Sequence, residues 1–206
     1  SWVQSLRDDY VGYTPSKNLK KLKFNPTHKV TSLRTFIYSK PNIKSKILGY
    51  LSFNSLVKIL STKSGFCKIP NLGWCPSNDL TKVTEKKFKI VELARQFLNT
   101  PYYWGGRDSQ GIDCSGLIQN IMQMKNINFP RDTDMQEEFC TISIPRKNLK
   151  AGDLVFWKGH VALMTEKNRI IHANAFHMKT QEEALVTAEK RIFKTNGKVR
   201  KYARII

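Results

Sequence analysis

The 206-residue sequence predicts an α+β domain, with helices packed on an antiparallel sheet, preceded by a small all-β barrel. Three observations predict it. Residues 28–80 hold short runs of β-branched and aromatic residues separated by Pro, Asn, Ser and Gly. After Leu80 the apolar period becomes that of helices. From Asp153 it becomes that of strands again, and helices followed by a sheet is an α+β order.

The elements follow in order. Strands are expected from Val30 to Tyr38, Lys46 to Leu51, Leu56 to Leu60, Phe66 to Ile69 and Trp74 to Pro76. Five short strands in so few residues suit a small barrel. Thr84 can cap a helix that runs to Leu98 with Phe88, Val91, Ala94 and Leu98 on its apolar face. Asn99-Thr100-Pro101 ends it. A second helix runs from Cys114 to Lys125, with Cys114, Leu117, Ile118, Ile121 and Met122 on one face. Strands are then expected from Asp153 to Lys158, His160 to Thr165 and Arg169 to Ala173.

An internal repeat shapes the domain reading. Gly12-Tyr13-Thr14-Pro15-Ser16-Lys17-Asn18-Leu19 and Gly73-Trp74-Cys75-Pro76-Ser77-Asn78-Asp79-Leu80 share the pattern Gly-aromatic-x-Pro-Ser-x-x-Leu. The second copy closes a β-rich segment, and the first has almost nothing ahead of it. Residues 1–24 are therefore expected to be the tail of a module that begins outside this chain, residues 25–82 a complete β module, and residues 83–206 the α+β domain.

Composition restricts function less than it restricts fold. Lys and Arg number 35 against 16 Asp and Glu, a formal charge of +19. Such a chain is drawn to polyanions. Its lysines are scattered, however, and the densest cluster is only Lys20-Lys21-Leu22-Lys23. A solvated basic surface accounts for this, and no specific nucleic-acid site is expected. There is no apolar run of about 18 residues, so no membrane span is expected. Cys67, Cys75, Cys114 and Cys140 form no CxxC pair, which argues against structural zinc. A turn centred on Asn71 would set Cys67 opposite Cys75, either bonded or as two packed thiols.

The densest chemical signal is Pro101-Tyr102-Tyr103-Trp104-Gly105-Gly106, followed by Asp113-Cys114-Ser115-Gly116. Glycines permit close approach to a helix start. Cys114 sits at that start, where unpaired N–H groups and the dipole favour a thiolate nucleophile. The alternative is a buried core cysteine, but Gly, Asp and Ser beside it do not suit a plain core helix. His160 is the expected base. Folding the hairpin 160–172 symmetrically about Glu166 sets His172 opposite His160, so that one imidazole orients the other. A one-residue shift of the turn would break that pairing. His28 and His177 have no comparable surroundings.

The closing Gly-Trp-x-Pro strand at 73–76 resembles that of the bacterial SH3-like domains that accompany cell-wall hydrolases. Tyr-x-Trp-Gly-Gly, Asp-Cys-Ser-Gly, Gly-Asp-Leu-Val-Phe-Trp at 152–157, Gly-His-Val at 159–161 and His-Ala at 172–173 resemble the NlpC family of papain-like cysteine peptidases, over about residues 85–177. The likeness extends to the subgroup with SH3-like domains, whose members cleave the γ-D-glutamyl–diamino acid bond of murein peptides. It implies Cys114 as nucleophile, His160 as base and then acid, His172 as its orienter, and Tyr102 in the oxyanion hole. It implies that Trp104, Asp113 and Ser115 line the cleft, and that Asp132 and Thr133 contact the diamino acid. A free N-terminal L-alanine would be met by Tyr10, with Asp9 as the candidate partner for its amine. No metal or organic cofactor is implied.

Two other functions stay open. One is a wall-binding protein with little activity; the intact Cys–His–His set argues against it. The other is an amidase or acyl transferase on the same scaffold. Cytoplasmic recycling and periplasmic remodelling both fit the sequence, with a slight preference for the former.

Overall fold

The computed structural model describes residues 1–19 and 25–205. The cluster Lys20-Lys21-Leu22-Lys23 and the module boundary at residue 24 lie outside the described residues. The chain divides into two compact units, Thr14–Lys87 and the combination of Ser1–Tyr13 with Phe88–Ile206.

The first strands, β1 (Trp2–Gln4) and β2 (Val11–Tyr13), pair antiparallel and belong to the larger unit. The smaller unit holds β3 (His28–Val30), β4 (Arg34–Tyr38), β5 (Ile47–Ser52), β6 (Leu56–Val57), β7 (Ser61–Lys63), β8 (Phe66–Ile69), β9 (Gly73–Pro76) and β10 (Leu80–Lys82). They form a three-stranded sheet, β10-β3-β6, and a five-stranded sheet, β5-β4-β9-β8-β7.

The barrel expected from the sequence, and the SH3-like barrel implied by the resemblance, are not what forms. Closure requires the outer strands of a sheet to pair with each other. Among the described residues neither sheet closes, and β5 and β7 remain edges. Two sequence features account for the split. The run expected from Val30 to Tyr38 breaks at Thr31-Ser32-Leu33 into β3 and β4, which join different sheets. The edge strand β7 is only three residues long, all exposed, a length that limits pairing at an edge.

The expected register of the last hairpin does occur. Cys67 faces Cys75 across β8 and β9, and both are free, buried thiols. They pack with Val57 and Ile69 in the small core. Gly73 is required at the start of β9: its φ is 140°, and a Cβ there would lie 2.5 Å from the Tyr38 carbonyl oxygen. The two repeat copies share a backbone path, a strand, then proline, then a 3₁₀ turn over Ser16–Asn18 or Ser77–Asp79.

In the larger unit the first helix, α1 (Ile90–Arg95), is shorter than its apolar period suggests. Its N-cap is Lys89 rather than Thr84. Glu85 explains the delay: its carboxylate accepts the N–H groups of Lys86 and Lys87, a local bonding pattern that competes with helix. Next comes α2 (Cys114–Met124), buried at every residue. The polar side of α2 is covered rather than solvated. Gln119 Nε2 donates to the Phe129 carbonyl at 3.0 Å and Asn120 Nδ2 to the Arg107 carbonyl at 2.8 Å.

After α3 (Thr133–Phe139) come β11 (Ile142–Ser143), β12 (Leu154–Trp157), β13 (His160–Glu166), β14 (Arg169–Asn174), β15 (Lys179–Ala184), α4 (Leu185–Asn196) and β16 (Lys201–Arg204). One sheet, β11-β16-β12-β13-β14-β15, joins all six strands antiparallel. The helix α2 packs against β13 and β14. Leu185, Ala188 and Ile192 of α4 pack with Val155, Trp157, Ala162, Met164 and Ile170. Burying a Leu or Ile side chain there is worth about 1.5–3 kcal/mol. The α+β expectation therefore holds for this unit.

The hairpin carrying the two histidines differs in register from the expected one. Leu163 faces Ile171, Met164 faces Ile170 and Glu166 faces Arg169, with a bulge between Met164 and Glu166. Extending that ladder sets His172 diagonal to His160, two residues from the symmetric arrangement. A shift of two keeps parity, so both rings stay on one face.

Candidate functional site

Cys114 opens α2, and its position is fixed by a buried polar frame. Asp113 is the N-cap, and the Gly116 N–H donates to its Oδ1 at 2.7 Å. The Gly105 N–H donates to Asp113 Oδ2 at 2.8 Å. Arg131 forks onto the same carboxylate, Nη1 to Oδ1 at 3.0 Å and Nη2 to Oδ2 at 2.7 Å, and also donates to Ser115 Oγ at 2.8 Å. Both members of this ion pair are nearly out of solvent. Glycine at 116 lets the loop come close, since a Cβ there would lie 2.5 Å from the Gly106 carbonyl oxygen.

The thiolate expected at this helix start is opposed by its surroundings. Burial pushes the Cys114 thiol up; bonds from the Val161 N–H, the Thr133 hydroxyl and the Ser115 N–H act the other way without overcoming it. The resting group is a thiol. The Thr133 hydroxyl oxygen is 3.9 Å from its sulfur.

The histidines are tied to a longer chain of side chains. His160 Nε2 lies 2.8 Å from His172 Nδ1. His172 Nε2 lies 2.8 Å from Glu183 Oε1. Arg191 donates to both oxygens of Glu183, at 2.6 and 2.8 Å. Burial works to raise the Glu183 carboxyl, but the bonds from Arg191 and His172 outweigh it and hold it at about 2. Burial holds His160 well below its ordinary value, reinforced by His172 and Arg191 and opposed by Glu183. Burial likewise lowers His172 against the pull of Glu183. Both imidazoles are neutral at neutral pH.

Cys114, His160 and Tyr102 line one cavity of about 490 Å³, together with Asn174, Phe176 and Arg191. Burial raises the Tyr102 phenol, with Cys114 and Asp113 adding to the effect, so it stays a hydrogen-bond donor. A second cavity of about 380 Å³ is lined by Tyr10, Trp104, Asp113, Arg131 and Asp132. Trp104 is 85% and Tyr10 51% exposed at its rim. Asp132 is exposed, and Thr133 faces the sulfur rather than this second cavity.

Two residues expected in the cleft sit differently. Ser115 is buried and serves the Arg131 frame. Asp9 is exposed with φ 56°, while its neighbour Asp8 is buried and accepts from Arg107 at 3.1 Å and Gln119 at 3.0 Å. Glu183 and Arg191 were not singled out by the sequence. Arg191 left one signal, the amphipathic period of α4, which puts it beside the buried Ile192, and Glu183 on β15 left none.

His172, His177 and Glu183 offer ligand atoms within 4.8 Å of one another. Both Glu183 oxygens already carry the Arg191 guanidinium, whose charge would oppose a cation there. The arrangement suits proton bookkeeping better than metal binding.

A cysteine opening a buried helix, and two linked histidines on the antiparallel sheet it packs against, define a cysteine-peptidase-like α+β domain. Residues 99–195 match the NlpC/P60 family. Dipeptidyl-peptidase 6 of Lysinibacillus sphaericus is 36% identical over 41% of this chain and 31% of its own length. A γ-D-glutamyl-L-lysine dipeptidyl-peptidase of Bacillus cereus is 29% identical over 81% of this chain and 57% of its own. The chain thus spans less than two thirds of these relatives. A crystal structure of an NlpC/P60 family protein from Bacillus cereus shares the fold, with a TM-score of 0.78 at 24% identity over 98% of this chain and 72% of that one. Among the described residues no helix is long and apolar enough to cross a membrane.

Proposed function

We propose that this protein is a cysteine peptidase that hydrolyses the γ-D-glutamyl–diamino acid bond of murein peptides, those with a free N-terminal L-alanine and diaminopimelate as the diamino acid. The observation that carries this reading is the shared cavity: Cys114 and His160 line it together, and His160 is held from behind by His172 at 2.8 Å. The names of the relatives support the bond class.

In this mechanism His160 takes the Cys114 proton as the sulfur attacks the γ-carbonyl of D-glutamate. Tyr102 and the Cys114 N–H stabilise the oxyanion, a role worth about 3–4 kcal/mol per donor. His160 then protonates the leaving amine, and the diamino acid departs. Water, deprotonated by His160, hydrolyses the thioester and releases the dipeptide. Trp104, Asp113, Asp132, Thr133 and Tyr10 are the proposed substrate-binding residues, and Ser115 contributes through Arg131. Residues 83–206 are proposed as the catalytic module, behind a β module at 25–82.

The test is product analysis with L-Ala-γ-D-Glu-diaminopimelate and its L-lysine counterpart. Release of free diamino acid is expected, lost with a thiol alkylator and indifferent to a chelator. Intact peptide, or cleavage at any other bond, overturns the reading.

A further inference from the structure

We propose that Glu183 is a positioning residue that sets the tautomers of both histidines, so that the base is His160 Nδ1; this rests on the peptidase reading above. The argument is a count of protons along one chain of bonds. Arg191 has only donors, and it occupies both oxygens of Glu183. Glu183 is therefore an ionised acceptor, and the bond at 2.8 Å to His172 requires a proton on His172 Nε2. A neutral imidazole carries one ring proton, so His172 Nδ1 is a lone pair. Its partner at 2.8 Å, His160 Nε2, must then carry the proton. That leaves His160 Nδ1 unprotonated, in the ring that shares the cavity with Cys114. Three side chains thus act in series, and the outermost decides the state of the innermost.

The chain is also built to stay in register. His172 is fully buried, so water cannot replace Glu183 as its partner. Arg191 lies over the Phe176 ring, 4.5 Å from its centroid, which steadies the guanidinium. His177 is a further titratable neighbour, its Nδ1 4.0 Å from Glu183 Oε1 and 3.0 Å from Asn174 Oδ1.

Glu183→Leu tests this by removing the acceptor at similar volume. Nothing then accepts from His172 Nε2, and a proton kept there would be buried without a partner. His172 protonates on Nδ1 instead, donates to His160 Nε2, and His160 moves its proton to Nδ1, where it blocks the base. The expected result is a fall in kcat of at least about 100-fold with KM within about threefold. Ring ¹⁵N spectra of the four histidines report the tautomers without any turnover. In the unaltered protein both Nε2 atoms of the pair should be protonated; in folded Glu183→Leu both should be bare. Glu183→Asp, which keeps the charge, should keep the original tautomers and recover part of kcat. Full kcat in folded Glu183→Leu, or an unprotonated His172 Nε2 in the unaltered protein, overturns the proposal; the second readout holds even where the variant does not fold. Should Cys114→Ala retain turnover while the tautomers are as expected, the peptidase reading fails and the tautomer assignment stands.

Discussion

The two halves of the candidate site are held in place by different means. Cys114 is positioned locally: it opens a buried helix whose N-cap carboxylate, Asp113, accepts from Arg131 and from the N–H groups of Gly105 and Gly116. Its frame comes from residues 105–131. His160 is positioned by side chains: His172, Glu183 and Arg191 reach it in series from β14, β15 and α4. The local frame tolerates little variation but lies within one short stretch of sequence. A side-chain relay spreads over several elements, and each link is replaceable. The Cys114 half should therefore fail through folding, and the His160 half through the proposed chemistry.

The largest expected effect breaks neither frame. Cys114→Ala removes the proposed nucleophile and should abolish release of the diamino acid while leaving the thermal midpoint close to that of the unaltered protein; a product assay beside a melting curve checks both. His160→Ala should cost at least about 10³-fold in kcat, again with the fold retained.

Arg131→Met sharpens the contrast. It leaves the Asp113 carboxylate buried and unpaired at the start of α2, and breaking such a pair costs about 3–5 kcal/mol. Denaturant unfolding should show that loss, and activity should fall with it. An Arg131→Met protein of unchanged stability would mean that the frame is not what holds Cys114.

A smaller effect lies in the pH profile. A base must be unprotonated to work, and burial together with His172 and Arg191 holds His160 well below its ordinary value, against Glu183. kcat/KM should therefore stay level as pH falls through about 6.5 and decline only further into acid. A half-maximal loss near 6.5 would contradict this. The same burial makes stability fall on acidification: the unfolded chain takes up protons on both histidines below about 6.5 while the folded one does not. Glu183 adds to the slope, since the stability it contributes above its unfolded value is lost as pH falls towards about 2. A melting midpoint lower at pH 5 than at pH 7 is the expected outcome.

The same difference explains what was legible in the sequence. Asp113-Cys114-Ser115-Gly116 and Tyr102 sit within one short stretch of sequence, so their nearness to a helix start could be read directly. His160 and His172 were legible as a same-face pair because the ladder beyond the bulge lies two residues from the symmetric one, which keeps strand parity. Glu183 and Arg191 were not, because nothing local marks a glutamate on β15 as the partner of a histidine on β14. The bond from Arg131 to Ser115 was not legible because it spans sixteen residues. The barrel was misread because strand count does not say whether edges meet, and the break at Thr31-Ser32-Leu33 sends β3 and β4 to separate sheets. The first helix was overdrawn because Glu85 turns on its own backbone before the apolar period can take hold.

The central claim is that Cys114 forms a covalent acyl intermediate within reach of His160. Acid-quenched intact-mass spectrometry during turnover of L-Ala-γ-D-Glu-diaminopimelate tests it most directly. The account expects an L-Ala-D-Glu adduct that maps to Cys114 and is absent from Cys114→Ala. Steady release of diaminopimelate with no adduct on Cys114, continuing in the Cys114→Ala protein, would contradict it.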